Sequence, residues 1–222
     1  MAETLRIAHI QPFPPFAEAR DGKSVGLGVD LLRAAAGRTG LDLVFVPTPI
    51  EQMNQTVKDG GADGQFLGIT PERRQTLDFS DPVLATGGAL FVRKPLPTPA
   101  GLAALAGTIV VTPNAGPLAA FIRKTAPEVN LRVTTDYEES LAALANGTAA
   151  AAALNYQTGM ILANRNYAGQ FTLPDRLFQE VSLAVGVPKG QRAETLLRLN
   201  KGIQAIRADG TWTEITTRWA NP

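Results

Sequence analysis

The stretch Ala62-Asp63-Gly64-Gln65-Phe66-Leu67-Gly68-Ile69-Thr70-Pro71-Glu72-Arg73 reads as a strand over residues 62–67 that leads directly into a polar, Pro-containing loop. On both sides of it short β-type runs alternate with helical stretches, the pattern of an α/β fold with mostly parallel sheets. Upstream, residues 5–10 form a first strand, followed by the Pro-rich turn Gln11-Pro12-Phe13-Pro14-Pro15-Phe16. Residues 29–39 are helical, with Asp30 in the first turn and Gly40 as the stop. Residues 41–46 are the next strand, and residues 50–58 the next helix, ended by Gly60-Gly61.

Past Ala85 the pattern restarts. Residues 89–92 are a strand, and the Pro-rich run 94–99 marks a boundary. Strands follow at 108–112 and 131–134, with Pro117 at the first position of a helix ending near Lys124. Asp136 with Glu139 has capping-box spacing and opens a helix to Asn146. Thr211 with Glu214 is a capping box on the last helix. The run Ala149-Ala150-Ala151-Ala152-Ala153 is helical by propensity, but its place between Gly147 and the turn at Asn155 assigns it to a buried strand. Residues 182–187, ending at Pro188-Lys189-Gly190, mirror residues 90–92 followed by Arg93-Lys94-Pro95. Two extended segments that each end in a basic residue and Pro suggest two crossings between lobes. Residues 1–92 with 189–222 are then lobe one, and residues 93–188 an inserted lobe two.

Bulk composition narrows the function. Of 222 residues 45 % are hydrophobic, enough for a real core, and 21 Lys and Arg against 20 Asp and Glu leave a net charge of +1. That balance argues against nucleic acid or an anionic membrane as a main partner, since both select basic surfaces. The chain has no Cys, which removes disulfides and thiolate metal sites. No apolar run approaches the roughly 20 residues that span a bilayer. Met1-Ala2-Glu3-Thr4 lacks the charged and apolar regions of a signal peptide and reads as an initiator Met on a mature chain.

Taken in order and spacing, several of these segments resemble the periplasmic binding proteins of polar-amino-acid ABC importers, the bacterial extracellular solute-binding proteins of family 3. The similarity runs almost end to end. It rests on Leu5-Arg6-Ile7, Phe13-Pro14-Pro15-Phe16, and Gly26 through Val29-Asp30-Leu31. It continues through Thr70-Pro71-Glu72-Arg73, Phe79-Ser80-Asp81-Pro82, and Ala208-Asp209-Gly210-Thr211 up to Trp219. The resemblance implies a type II, two-lobed fold with a ligand cleft between the lobes and hinge closure over a small carboxylate-bearing solute. It also implies a periplasmic location, a membrane permease as partner, a monomer, and no cofactor or catalysis.

By the same resemblance Arg73 grips the ligand's carboxylate, and a planar guanidinium suits that task because it binds carboxylate bidentately. A surface Arg paired with Glu72 is the plainer reading. Thr70 matches a loop position near the ligand, though a Thr there also serves as a helix N-cap. Phe13 matches an aromatic wall of the cleft, and packing in the core is the alternative for Phe13; Phe16 reads as core.

Several positions depart from the family. Asn155 stands where an Asp usually holds the ligand's ammonium, and Gly68 where a Ser or Thr hydroxyl is usual. Asn114-Ala115-Gly116-Pro117 replaces the family's Gly-Thr at a helix N-terminus, where backbone N–H groups still attract a carboxylate. A large aromatic often found near Ile50 is missing.

Other chemistry finds little support. His9 is the only His, too few for a triad or a His metal cluster, and it reads as a packed, hydrogen-bonded residue. Asp63, Asp78 and Asp81 read as turn and cap residues. Gly26-Leu27-Gly28 lacks the third Gly of a dinucleotide fingerprint, and no Walker-type Gly-Lys-Ser/Thr occurs. Trp212 and Trp219, at i and i+7, dock a helix onto the core. An accessory or sensing subunit of a periplasmic enzyme system is the alternative function. A cyclohexadienyl-dehydratase-like enzyme needs a carboxylate acid, and residues 155–165 contain no Asp or Glu.

With Arg73 kept and the ammonium-side features changed, the sequence predicts a carboxylate ligand that need not carry an α-ammonium. Calorimetry with an amino acid and its deaminated analogue checks this. Tight binding of the first and none of the second would sink the expectation.

Overall fold

A computed structural model describes residues 3–114 and 117–221. The chain runs β1 (Thr4–Ile10), β2 (Glu18–Arg20), β3 (Lys23–Val25), α1 (Leu27–Thr39), β4 (Asp42–Thr48), α2 (Met53–Lys58), β5 (Gly64–Gly68) and β6 (Leu77–Phe79). It continues through β7 (Leu84–Arg93), β8 (Ile109–Pro113), α3 (Leu118–Thr125), β9 (Asn130–Thr134), α4 (Tyr137–Ala145), β10 (Ala151–Asn155), α5 (Tyr156–Asn166) and β11 (Phe171–Thr172). The chain closes with β12 (Phe178–Pro188), α6 (Ala193–Ala208) and α7 (Thr211–Ala220). It divides into two compact units, one of Met1–Ala85 with Val181–Trp219 and one of Thr86–Glu180 with Ala220–Pro222. The Pro-rich run 94–99 falls inside the second unit.

In the first unit β1 lies parallel to β4 on one side, with Ile7 opposite Phe45, and parallel to β5 on the other, with Ala8 opposite Gln65. β12 then pairs antiparallel with β5, placing Val185 opposite Phe66, and β6 pairs antiparallel with β12. The sheet is therefore mixed rather than mostly parallel: crossover helices make β1, β4 and β5 parallel, whereas β12 enters from the far end of the chain. The second unit repeats the arrangement. β8 lies between β9 and β10 in parallel, and β7 runs antiparallel to both β10 and β11.

The Ala run enters a strand at Ala151, two residues later than the sequence indicates. Ala151, Ala152 and Ala153 are fully buried, between β7 and β8, where their small side chains leave room for Val110, Val111 and Ile122. Helix propensity yields here to tertiary packing. The residues read as one helix over 50–58 split into a 3-10 turn, Ile50–Gln52, and the short α2. Asp136 caps α4 as the spacing indicates, accepting from Glu139 N at 2.8 Å, while Glu139 reaches back to Thr135 N at 2.7 Å. Thr211 is not a cap: it is the first helical residue of α7, and Asp209 accepts its N–H at 3.0 Å. Trp212 and Trp219 do dock α7, donating to Val83 O and to Asp30 Oδ2.

The first unit's core packs α1 and α6 on one face of the sheet around Leu31, Leu32, Phe66, Leu199 and Ile203. Gly202 sets how closely those helices approach. A Cβ on it would lie 2.1 Å from Ala35 O, a backbone atom that cannot swing aside. Gly202→Ala should therefore cost at least about 1–3 kcal/mol of stability, the usual penalty of overpacking. A urea titration should show a lower midpoint at an unchanged m-value.

Candidate functional site

β5 is the element that places the site. Its pleat sends Phe66 to the face covered by α1, and Gln65 and Leu67 to the opposite face. Gly68 ends the strand, and the chain turns through Thr70-Pro71-Glu72 into a short 3-10 turn, Arg73–Gln75. Thr70 takes the capping role there: its hydroxyl accepts from Arg73 N at 3.3 Å and its carbonyl from Arg74 N at 3.1 Å. Glu72 is held below the usual carboxylate range by its own backbone N–H first and the Thr70 hydroxyl second, with the Arg73 charge adding least.

Arg73 then folds back over the strand end, and its Nη1 donates to Gly68 O at 2.7 Å. Among the described residues no carboxylate forms an ion pair with it, Glu72 included. The sequence expectation of a hydroxyl-bearing position lost at residue 68 gains a steric reason. A Cβ at Gly68 would stand 2.8 Å from Val181 Cγ1 and 3.5 Å from Arg73 Nη1. The residue that aims the arginine must therefore be small.

Arg73 borders a cavity of about 250 Å³ that lies wholly within the first unit. Its apolar walls come from Ile10, Met53, Leu67 and Leu77, and from Ile50, which is 62 % exposed. Its polar groups come from Asn54, Gln65, Glu72, Arg73 and Thr76. Arg73, Ile50, Gly68 and Thr70 thus gather around one hollow, two as lining and two as supports. Phe13 stays in the Pro-rich turn, half-buried against Phe16, with ring centroids 4.8 Å apart and paired backbone bonds to Ala17.

The remaining expected residues belong to the second unit. Asn155 caps α5: Oδ1 accepts from Thr158 N at 3.2 Å, and Nδ2 donates to Thr86 Oγ1 at 2.8 Å, which in turn donates to Gln157. Asn114 follows β8, its N–H on Thr134 O at 2.9 Å. Ala115 and Gly116 lie outside the described residues.

Two groups were not found from sequence. Asp63 was read as a turn residue, but it is an ion-pair hub, accepting from Arg6 N, Nε and Nη2 and from Arg192 Nη2 at 2.7 to 3.1 Å. Burial alone would raise its pKa, yet the Arg6 bonds and the Arg192 and Arg6 charges together hold it below the usual range. Gln65 is the second. Its signal was present, a lone amide between Gly64 and the apolar pair Phe66-Leu67.

With this geometry in view, the whole-chain comparisons fall into place. The model of the bacterial extracellular solute-binding proteins, family 3, matches residues 5–222, and the chain belongs to that family. It is 28 % identical over 155 residues to the ABC transporter glutamine-binding protein GlnH of Bacillus subtilis, a match spanning 69 % of this chain and 55 %, about half, of that protein. It is 24 % identical to ABC transporter arginine-binding protein 1 of Escherichia coli across 98 % of this chain and 91 % of the relative. Among solved structures, the unliganded, open L-cystine solute receptor of Neisseria gonorrhoeae superposes with a TM-score of 0.83 at 21 % identity, covering 99 % of this chain and 93 % of that one. The fold is that of the type II periplasmic binding proteins. No helix among the described residues is long and apolar enough to cross a membrane.

His9 sits one residue before the cavity-lining Ile10, fully buried, with Nδ1 on Ile10 O at 3.0 Å and Nε2 on Ser24 Oγ at 2.8 Å. Burial lowers its pKa, and the Ile10 carbonyl opposes that only in part. Below the ordinary His value of about 6.5 the unfolded chain takes up a proton that the folded chain still refuses, so stability falls with falling pH. The loss ends once pH drops below the folded-state pKa. Melting temperatures at pH 7.5, 6.5 and 5.5 should decline more steeply for the native chain than for His9→Gln.

Proposed function

We propose that this protein captures a small carboxylate-bearing solute, an amino acid or a close relative of one, in the periplasm and hands it to the permease of an ABC importer. The observation that carries the reading is Arg73. Its guanidinium is steered by the Gly68 carbonyl, has no carboxylate partner among the described residues, and borders an aliphatic-walled cavity. A cation so placed lacks only an anion, and a ligand carboxylate supplies one with two-point geometry. Family membership and relatives named for binding glutamine and arginine support the same solute class.

Asn155, in the second unit, has a local role. Its amide caps α5 and bonds Thr86, and it brings no negative charge of its own. Hinge closure over the bound solute, implied by the resemblance, completes the proposed cycle. The same reading takes the protein as a monomeric carrier rather than an enzyme, in line with its family. The cavity, at about 250 Å³, lies below the roughly 300 Å³ at which drug-sized pockets begin, in keeping with a small solute.

Thermal unfolding against amino acids, keto acids, hydroxy acids and amines tests the reading. A true ligand at about 100 times its Kd adds roughly 2.7 kcal/mol and raises the melting temperature. Arg73→Ala should weaken binding by about thirty-fold or more, the effect of removing one partner of a water-excluded charge pair. Shifts that persist undiminished in Arg73→Ala would overturn the role given to that residue.

A further inference from the structure

The second unit has a cavity of its own, about 300 Å³ in volume, between the C-terminal end of α5 and β11. It shares no residue with the hollow beside Arg73. Its walls are Ala163 and Phe171, both 2 % exposed, and the ring of Tyr167, whose centroid lies 5.3 Å from that of Phe171. Leu173 forms an exposed rim, and the Thr172 hydroxyl, donating to Leu96 O at 2.6 Å, brings a second exposed leucine alongside. Single apolar side chains in water are ordinary, but two beside an aromatic-walled cavity mark a place where apolar matter binds. Most of the polar lining is already spent. Both N–H groups of the Asn164 amide are taken, by Ala220 O at 2.8 Å and Asn221 Oδ1 at 3.1 Å. Among the described residues the Lys94 ammonium and the Tyr167 hydroxyl have no hydrogen-bond or ion-pair partner, and no carboxylate lines the space.

These features select a ligand. Aromatic and aliphatic walls favour an apolar body over a polar one. A cation with no acid beside it favours an anion and repels an amine. The volume stands at the lower end of the range for small-molecule sites. We propose that this cavity is a second binding site, independent of Arg73, for a small carboxylate with an aromatic or branched aliphatic body. The body lies against Tyr167 and Phe171, and the carboxylate pairs with Lys94 at the mouth. Lys94 is exposed, so its ion pair adds only a few-fold, and the buried body supplies most of the affinity.

Calorimetry with benzoate, benzamide, benzylamine and acetate tests the site. Arg73→Ala removes the other carboxylate anchor, so binding that remains in that variant belongs elsewhere. There benzoate should bind roughly two- to five-fold more tightly than benzamide, the span of a solvent-exposed ion pair. Benzylamine should bind more weakly than either, and acetate, with no body to bury, should give no heat. Adding Lys94→Ala should erase the preference for benzoate over benzamide, and Lys94→Arg should keep it. Leu173→Asp, which puts a negative charge on the rim, should weaken benzoate further. Both positions are exposed, so these variants should keep the native circular dichroism spectrum. Benzoate binding that is present in the native chain and absent from Arg73→Ala would overturn the second site and leave the carboxylate reading of Arg73 intact. Benzoate binding no tighter than benzamide, or unchanged by both Lys94→Ala and Leu173→Asp, would overturn the second site as well. So would the absence of heat from every aromatic probe, an outcome that leaves Arg73 untouched.

Discussion

The structure of the first unit depends on the register of β5. One edge of the strand is fixed in parallel to β1 and the other antiparallel to β12, so it has no free edge along which to slide. A slip of one residue would exchange its faces, driving Gln65 into the α1 side and Phe66 out of it. The glycine at 28 is cut to this register, since a Cβ there would meet the Phe66 ring at 2.5 Å. At the start of the strand Asp63 binds the Arg6 backbone as well as its guanidinium, locking β5 against β1 before the first pair forms. With both ends set, the position of the Gly68 carbonyl follows, and with it the aim of Arg73.

Much of this could be read from the residues. The alternation of short strands and helices gave the α/β class. The neighbours of the Ala run at 149–153, not its own propensity, indicate a strand, and the strand takes up Ala151 to Ala153. The family motif singles out Arg73, which lies in the 3-10 turn after β5. The features that escaped share one property: each depends on a partner far away in the chain. Asp63 looks like any aspartate at a turn until Arg192, 129 residues later, comes to it. The antiparallel entry of β12 is equally invisible, because strand direction is set by the path of the intervening chain. Local capping was legible at Asp136 and misleading at Thr211, whose hydroxyl instead accepts from the Arg38 guanidinium.

Gly68 and Asn155, where the sequence departs from the resemblance, have local structural roles. A Cβ at Gly68 would meet Val181, and Asn155 bonds Thr158 and Thr86 as a helix cap. A residue with a structural duty is not thereby excluded from the ligand's surroundings. α5, which Asn155 caps, carries no acidic side chain.

The split composition of the first unit also orders events in time. Its residues up to Ala85 supply β1, β4, β5 and α1, but the strand that closes the other edge of β5 and the helix that covers α1 arrive only with residues 181–208. During synthesis or passage through a translocation pore the early segment must therefore wait, its apolar face uncovered, for nearly a hundred residues. The second unit draws almost wholly on the unbroken span Thr86–Glu180 and faces no such delay. A chain built this way remains incompletely folded until about its last fifth emerges.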